Sequence, residues 1–266
     1  MAGKYTHRSN YMPGQKEPYR LSRSKIELFM QCQRCFWLDA RLHIVRPSGP
    51  PFNLNKAIDE LFKKEFDTYR LKGEPHPLMA EFEVDAIPMQ HDKLDIWREN
   101  FTGVSTLHGP TNLLVFGAID DLWVDSKNQA VVVDYKATAK EQGVSIDSDW
   151  QISYKRQLEV YQWLLRQNGL KVAETGYFVY TNAQLKADGF HDRLDFQTKL
   201  IPYKGNDNWI EPTLHKMKSC LENDMMPPVG LAAMGGSCEF CSYARARTEL
   251  TLAAIEPKPK KQLTLS

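Results

Sequence analysis

Apolar and polar residues recur along the chain with two different periods. Apolar residues three and four positions apart predict helices over residues 25–43, 56–72, 92–101, 150–169 and 208–223. Runs of β-branched and aromatic residues bounded by turn formers predict strands over residues 113–124, 130–137, 174–182 and 193–203. Because a helix separates the second strand from the third, we predict an α/β fold in which helices flank a mixed central sheet.

The first two strands predict a hairpin at the centre of that sheet. Residues 125–129 are turn formers that join the two strands. The run from Val131 to Val133 is typical of a strand that is buried on both faces. The hairpin nevertheless carries four charged residues: Asp120, Asp121, Asp134 and Lys136. Charged groups are rarely buried unless they are paired or bound to metal, so we expect the functional site here.

Alternation along the strands assigns these charges to faces. Asp134 and Lys136 share one face, and Tyr135 points to the other. If the turn is symmetrical, Asp120 lies opposite Asp134, with the Cβ atoms about 4.5–5.5 Å apart. Two carboxylates that close repel unless a cation separates them, and Mg²⁺ or Mn²⁺ suits oxygen ligands. A register shift of one would bring Asp121 opposite Asp134, and a solvated Asp-Lys pair on a surface hairpin is the alternative.

The composition narrows the class of protein. The chain has 266 residues, of which 42% are hydrophobic and 25% charged, as in soluble globular proteins. It has neither a transmembrane run nor a signal-peptide core, which predicts a cytoplasmic location and no membrane partner. The net charge of +1 is neutral evidence on nucleic-acid binding, although both ends of the chain are basic. We expect a disordered basic tail over 1–20, one domain over 21–250 and a disordered tail over 251–266.

Four of the five cysteines form two C-x-x-C pairs. Cys32 and Cys35 lie near the start of the chain, and Cys238 and Cys241 lie near its end. Without a secretion signal, such pairs indicate metal ligands rather than disulfides. A shared centre would join the first helix to the C-terminal segment. Cys220 is left over and is expected to be a small buried residue.

The order of these motifs resembles the PD-(D/E)xK nuclease superfamily. The matching segments are Gly117-Ala-Ile-Asp120, Asp134-Tyr-Lys136 and Gln157-Leu-Glu-Val-Tyr161, flanked by the two cysteine pairs. The pattern is most similar to the RecB-like branch, which includes iron–sulfur exonucleases associated with CRISPR systems. The resemblance covers about residues 21–247 and implies a restriction-endonuclease-like core.

The resemblance implies a role for each hairpin residue. Asp120 and Asp134 would bind Mg²⁺ or Mn²⁺, and the peptide carbonyl of Tyr135 would complete the coordination. Lys136 would orient or activate the hydrolytic water and stabilise the transition state. A bound metal can generate the nucleophile from water and offset the charge of the pentacovalent phosphate, which is what phosphodiester hydrolysis requires.

The matched helix carries two further residues. Gln157 and Tyr161 are four positions apart and therefore share a face. The resemblance implies that they line a groove and position DNA near the metal. Without the resemblance, they would be an ordinary polar patch on an amphipathic helix.

Two features depart from the family pattern. RecB-like members usually place a metal-binding His on the helix before the hairpin. Here residues 56–72 contain no His, and Asp59 is the best substitute, with Glu81 and Glu83 as further candidates. The iron–sulfur relatives usually have one N-terminal and three C-terminal cysteines, whereas this chain has two and two. Four thiolates suit a 4Fe–4S cluster or Zn²⁺, and the resemblance favours the cluster.

These features together predict a Mg²⁺- or Mn²⁺-dependent deoxyribonuclease, an exonuclease acting on single-stranded or free-ended DNA. DNA repair, recombination, phage replication or CRISPR spacer acquisition would be its setting, with a helicase or another repair or CRISPR protein as partner. The alternative is a non-catalytic nucleic-acid-binding or scaffolding subunit that keeps the fold. Because alternation separates Asp120 from Asp121, we expect Asp120→Asn to lose activity and Asp121→Asn to keep most of it.

Overall fold

The computed structural model describes residues 10–141, 143–186, 188–230 and 237–255. Its strands are β1 (Tyr19–Ser22), β2 (Ala86–Pro88), β3 (Val104–His108), β4 (Leu113–Gly117), β5 (Asp121–Asp125), β6 (Ala130–Thr138), β7 (Thr175–Ala183) and β8 (Phe196–Lys204). Its helices are α1 (Arg23–Gln31), α2 (Gln33–Leu42), α3 (Asn53–Lys72), α4 (Pro77–Glu81), α5 (Leu94–Trp97), α6 (Ile152–Gln167), α7 (Ile210–Glu222) and α8 (Glu239–Ile255). None of these helices combines the length and the apolar character needed to cross a membrane.

The strands form two mixed sheets. The larger sheet has the order β2-β5-β6-β7-β8, in which β6 and β7 are parallel and the other neighbours antiparallel. The smaller sheet has the order β1-β4-β3, in which β1 and β4 are parallel. Helices pack against these sheets. The predicted α/β fold, with a mixed sheet flanked by helices, is confirmed.

Alternate residues of β6 enter two separate apolar clusters. Val132 belongs to the cluster that includes α6 and α7. Val131, Val133 and Tyr135 belong to the cluster that includes Phe66 of α3. The valine run is therefore buried on both faces of the sheet, as its sequence predicts, and each fully buried valine contributes roughly 1.5–3 kcal/mol. Burial of this size holds β6 at the centre of the larger sheet.

The first strand of the predicted hairpin is in fact two strands, which is a correction. β4 ends at Gly117 in the smaller sheet, and β5 begins at Asp121 in the larger one. A Cβ atom on Gly117 would lie 2.8 Å from Cε1 of Tyr161 and 3.2 Å from Cβ of Arg23. Glycine therefore permits the close approach of α1 and α6 at the point where the chain passes from one sheet to the other.

The hairpin between β5 and β6 has the register that a symmetrical turn predicts. Asp121 pairs with Val133, and Val124 pairs with Ala130. Continuing this register by one residue brings Asp120 opposite Asp134. The charged residues of the hairpin thus lie where β5 begins and β6 approaches its C-terminal end, next to the parallel strand β7.

The helix predicted over 25–43 is divided at Cys32. This residue is extended, with φ −161° and ψ 110°, and it both ends α1 and precedes α2. Its N–H still donates to the Leu28 carbonyl at 2.8 Å. Its sulfur accepts the N–H of Cys35 at 3.5 Å and so caps α2. The division turns both thiols of the first C-x-x-C pair to the same place.

The part of the N-terminal segment that the structure describes is ordered, contrary to the predicted tail over 1–20. Tyr11 is buried, its N–H donates to the Ala40 carbonyl at 2.8 Å, and its ring packs edge-on against Tyr19 of β1. In the sequence, the basic residues that surround these two tyrosines are typical of a disordered tail, so the packing of the rings could not be predicted. At the other end, α8 continues to Ile255. Residues 1–9 and 256–266 lie outside the described residues, and the domain limits remain predictions.

Candidate active site

The charged residues of the hairpin meet at one end of β6, between two helices. Asp134 and Lys136 lie on β6, and Asp120 directly precedes β5. On one side α3 approaches, and Asn55 Nδ2 donates to the Ala137 carbonyl at 2.9 Å. On the other side lies α6. The strand register therefore brings the acids together, and the two helices enclose them.

Asp134 is a buried carboxylate with few partners. Its exposed fraction is 0%, and Lys136 forms an ion pair with Oδ2. Among the described residues, neither of its oxygens receives a well-aligned hydrogen bond. A buried carboxylate is costly unless hydrogen bonds or cations compensate it. Oδ1, which no described donor contacts, could therefore bind a hard divalent cation while Oδ2 is paired with Lys136.

Asp120 is held by the backbone of the facing strand. Its Oδ2 accepts the N–H of Tyr135 at 2.9 Å. Burial, and after it the negative charge of Asp134, raises the pKa of Asp120 to about 7. The raised pKa reflects first the burial of Asp120 and then the repulsion between two neighbouring carboxylates. A divalent cation would remove that cost, so the donor set fits Mg²⁺ or Mn²⁺, which proteins commonly bind through one or two carboxylates plus substrate phosphate.

Lys136 is a cation in this site. Burial opposes its charge, but Asp134 and Asp120 outweigh burial and raise the pKa of the ammonium group. Its Nζ lies 4.8 Å from the ring centre of Tyr154 and contacts the Tyr135 carbonyl at 3.4 Å. That carbonyl is the predicted third metal ligand, and here it accepts from Lys136. The lysine can therefore supply positive charge and donate hydrogen bonds at neutral pH.

Asp59 is the predicted helical acid that approaches the hairpin. Burial, followed by the charge of Asp120, raises the pKa of Asp59, and Lys63 lies 2.7 Å from it. Glu81 and Glu83 are exposed on and after α4. Within the described residues, only the cysteines bring three or more potential His, Cys, Asp or Glu ligand atoms within 4.8 Å of one another. Asp59 therefore faces the acid pair without closing a three-carboxylate site.

Gln157 and Tyr161 lie on the face of α6 that adjoins the hairpin. Gln157 Nε2 donates to the Tyr161 hydroxyl at 3.1 Å. Burial is the main cause that raises the pKa of Tyr161, and the charges of Asp120 and Asp134 add to it. Tyr161 is buried against Gly117, whereas Gln157 is half-buried. Gln157 is thus the member of the pair that lies nearer to solvent.

Asp121 has a different environment from the one its sequence position indicates. Its exposed fraction is 0%, and its Oδ1 forms ion pairs with Arg70 and, at 2.6 Å, with Arg98. Its Oδ2 accepts the Tyr135 hydroxyl at 2.8 Å. Asp67 lies 2.9 Å from each of the two arginines. Replacement of Asp121 is therefore expected to weaken the fold, because this carboxylate neutralises two buried guanidinium groups, while the expectation that Asp121→Asn keeps most of the activity stays a prediction.

Sequence analysis also missed an aromatic edge beside Lys136. Trp150 and Tyr154 pack edge to face, with ring centres 5.5 Å apart. Lys140 lies 5.1 Å from the Trp150 ring centre, and 43% of Trp150 is exposed. An aromatic residue at the start of a helix directly after a polar loop is the signal that could have indicated this edge. The exposed Trp150 ring beside the half-buried Tyr154 ring suits contact with nucleic-acid bases.

The four cysteines of the two C-x-x-C pairs form one buried cluster. The closest sulfur contacts are 3.8 Å for Cys32–Cys241, 3.8 Å for Cys35–Cys238 and 3.5 Å for Cys35–Cys241. Burial opposes ionisation of Cys32, but hydrogen bonds from the backbone N–H groups of Cys35 and Gly230 lower its pKa to about 7. The predicted cysteine centre that joins the N- and C-terminal segments is confirmed as a potential metal site.

The remaining cysteine is separate from this cluster. Cys220 lies on α7 and is half-buried. Burial raises the pKa of its thiol to about 11. Cys220 is therefore a neutral thiol at physiological pH, and it provides a natural control for substitutions in the cluster.

Comparison with known proteins gives one family match. A family model described as "PD-(D/E)XK nuclease superfamily" matches residues 20–246. No curated protein matches the chain. A solved structure described as "Crystal structure of SSO0001" has 16% sequence identity and a TM-score of 0.39, covering 80% of this chain and 81% of that chain. A score this low supports no conclusion about function. The family match includes both cysteine pairs and ends before the last described residues of α8.

Proposed function

Because the chain belongs to the PD-(D/E)XK nuclease superfamily, we propose that it is a divalent-metal-dependent deoxyribonuclease whose site is formed by Asp120, Asp134 and Lys136. The observation that supports this most strongly is the state of Asp134. This carboxylate is fully buried, opposes a second carboxylate and receives no well-aligned hydrogen bond from the described residues. Such an arrangement disfavours folding, and it is therefore expected where function requires it.

In the proposed mechanism, each residue has a task that its environment supports. Asp120 and Asp134 would hold Mg²⁺ or Mn²⁺, which when bound would polarise the phosphate and lower the pKa of water. The Tyr135 N–H fixes the orientation of Asp120. Lys136, whose pKa is raised by both acids, donates to a phosphate oxygen or to the attacking water. Asp59 faces Asp120 and provides a further carboxylate on the α3 side.

The proposed substrate is single-stranded or free-ended DNA. The aromatic edge formed by Trp150 and Tyr154 supports this choice, because every unstacked base has a face that can stack on an exposed ring. Lys136 connects this edge to the acids, since its Nζ lies over the Tyr154 ring. Exonuclease action, a setting in DNA repair, recombination, phage replication or CRISPR spacer acquisition, and a helicase partner are proposed from the resemblance to RecB-like nucleases alone.

A non-catalytic nucleic-acid-binding or scaffolding subunit is the second candidate. Such a subunit would keep the fold and the aromatic edge, but it would have no need to retain the three site residues together. The cost of burying Asp134 would also bring no benefit in that case. The two candidates make opposite predictions about cleavage, which one assay separates.

The assay uses the same oligonucleotide as single-stranded DNA, duplex DNA and RNA, labelled at either end. With Mg²⁺ or Mn²⁺, we expect the single-stranded DNA to shorten from one end, and EDTA should stop the reaction. Covalently closed single-stranded DNA should resist an exonuclease. Binding of DNA without cleavage under every metal condition would favour the non-catalytic subunit and would contradict the proposed activity.

Replacement of Trp150 by alanine tests the proposed substrate contact. Loss of one stacked base is worth about 1–3 kcal/mol, so affinity for single-stranded DNA should fall by about 5- to 150-fold. Fluorescence anisotropy with labelled DNA in EDTA measures binding without cleavage. Tyr243→Ala is the matched control, because this ring is 70% exposed on α8 and lies outside the aromatic edge. Equal loss in both variants, or no loss in W150A, would remove the aromatic edge from the substrate path.

A further inference from the structure

The distances within the cysteine cluster carry information about what it binds. The closest described contacts between sulfur atoms are 3.5–3.8 Å. The sulfur atoms of all four cysteines lie within 4.8 Å of one another. These contacts are far longer than the about 2.05 Å of a disulfide bond. All four residues are free cysteines, and all are buried. The cluster therefore has the dimensions of four ligands around a common centre.

A single tetrahedral ion has these dimensions. Zinc binds thiolate sulfur at about 2.3 Å, and the edge of a regular tetrahedron with that radius is about 3.8 Å. In a 4Fe–4S cluster, by contrast, each cysteine binds a different iron, so the sulfurs are separated by the body of the cluster. In a 2Fe–2S cluster, the two cysteine sulfurs on one iron are likewise separated by the cluster from the two on the other iron. Four sulfurs within 4.8 Å leave no room for either arrangement.

An arginine lies against the cysteine cluster. Nη2 of Arg46 lies 3.4 Å from Sγ of Cys238, and its other terminal nitrogen donates to Oε1 of Gln31 at 2.8 Å. The guanidinium group is 4.6 Å from the ring centre of Phe240, which covers it. Four thiolates around a doubly charged ion leave an excess of negative charge, and a fixed arginine offsets part of it.

The wall of the cluster is fitted closely to its contents. Leu28, Val229 and Phe240 pack against the four cysteines. A Cβ atom on Gly230 would lie 2.7 Å from Sγ of Cys32, and the Gly230 carbonyl accepts the N–H of Cys238 at 2.7 Å. The wall therefore fits closely around Cys32 and leaves its thiol little room to move away from the other three.

From this geometry we propose that the four cysteines bind a single structural Zn²⁺ ion, in place of the 4Fe–4S cluster that the family resemblance implies. Zinc has no redox chemistry, and it is the usual ion of closed four-thiolate sites. The ion fixes the break between α1 and α2 to the start of α8, which closes a loop of about two hundred residues at an entropic cost that rises only slowly with length. This proposal is independent of the nuclease activity.

Metal analysis of the full-length protein is the direct test. Protein purified without oxygen, from cells supplied with both iron and zinc, should be colourless and contain about one zinc per chain. Refolding with Co²⁺ should give the visible absorption of a tetrahedral cobalt–thiolate site. Brown protein with two or four irons and acid-labile sulfide would overturn the proposal, as would a single bound iron or two disulfides.

Two pairs of variants test the assignment of residues. Cys32→Ser should lose the zinc and unfold at a lower temperature, whereas Cys220→Ser should do neither. Gly230→Ala retains all four thiolates, and crowding of Cys32 should weaken zinc binding roughly 10–100-fold in a chelator competition. Gly109→Ala is its control, because a Cβ atom there meets nothing within 4 Å. Zinc content unchanged in both C32S and G230A would exclude this site.

Discussion

Replacement of Asp134 by alanine is expected to abolish metal-dependent cleavage while the fold is retained. Asp134 is proposed to bind the metal directly, and losing a catalytic metal removes several kcal/mol of transition-state stabilisation. A loss of about 4 kcal/mol corresponds to about a thousandfold in rate. Initial rates on end-labelled single-stranded DNA, together with a thermal unfolding curve, measure both parts of the prediction.

The expected stability follows from the partners of Asp134. The alanine variant loses the ion pair between Asp134 and Lys136, but Lys136 keeps the nearby Asp120 carboxylate as a counter-charge, and Asp120 loses a repulsive neighbour. Asp95→Ala, an exposed acid on α5, is the control and should keep the full rate. Lys136→Ala should also be nearly inactive but should still bind metal. Undiminished cleavage by both site variants, in protein free of contaminating nuclease, would refute the assigned site.

Replacement of Asp121 by alanine is expected to destabilise the protein severely. Two guanidinium groups and the Tyr135 hydroxyl converge on this buried carboxylate. Removing one partner from a buried ion pair costs about 3–5 kcal/mol, because the remaining charges stay buried without compensation. Urea unfolding measures this loss as a change in the free energy of unfolding.

Asp67 provides the matched control for Asp121. It contacts the same arginines, but its side chain is 40% exposed, so Asp67→Ala should cost only about 1 kcal/mol. Asp120→Asn should keep the fold and lose cleavage. If instead Asp121→Ala were as stable as the parent and Asp120→Ala unfolded, the assignment of the two neighbouring acids would have to be exchanged.

Features that depend on residues close together in the sequence could be predicted from it. Alternation along β6 separates Tyr135 from Asp134, and the structure places these side chains in different surroundings. The symmetrical turn predicts the register of the hairpin, and that register is observed. Two C-x-x-C pairs predict one cysteine centre, because four buried thiols have few other reasons to occur in that spacing.

Features that depend on distant partners could not be predicted. Ile119 continues the apolar pattern of β4, so nothing in the local sequence marks the passage from one sheet to the other. The reason for it lies in α1 and α6, which close on Gly117. Asp121 likewise forms ion pairs with arginines 51 and 23 residues away. Its structural role could therefore not be predicted from its position next to Asp120.

The N-terminal segment illustrates a second limit. Its basic residues and turn formers are typical of a disordered tail, yet Tyr11 and Tyr19 pack together and anchor it. Two aromatic residues eight positions apart form no periodic pattern. Their burial depends on residues that are distant in the sequence, including residues of α2 and α7.

The central claim, that Asp120 and Asp134 bind a divalent cation, is tested most directly by measuring thermal unfolding during a Mn²⁺ titration. A ligand that binds only the folded state raises the unfolding temperature progressively with its concentration. The wild-type protein and Lys136→Ala should therefore be stabilised by Mn²⁺, while Asp134→Ala should not respond. Equal stabilisation of Asp134→Ala and the wild type, or no response in either, would contradict the claim.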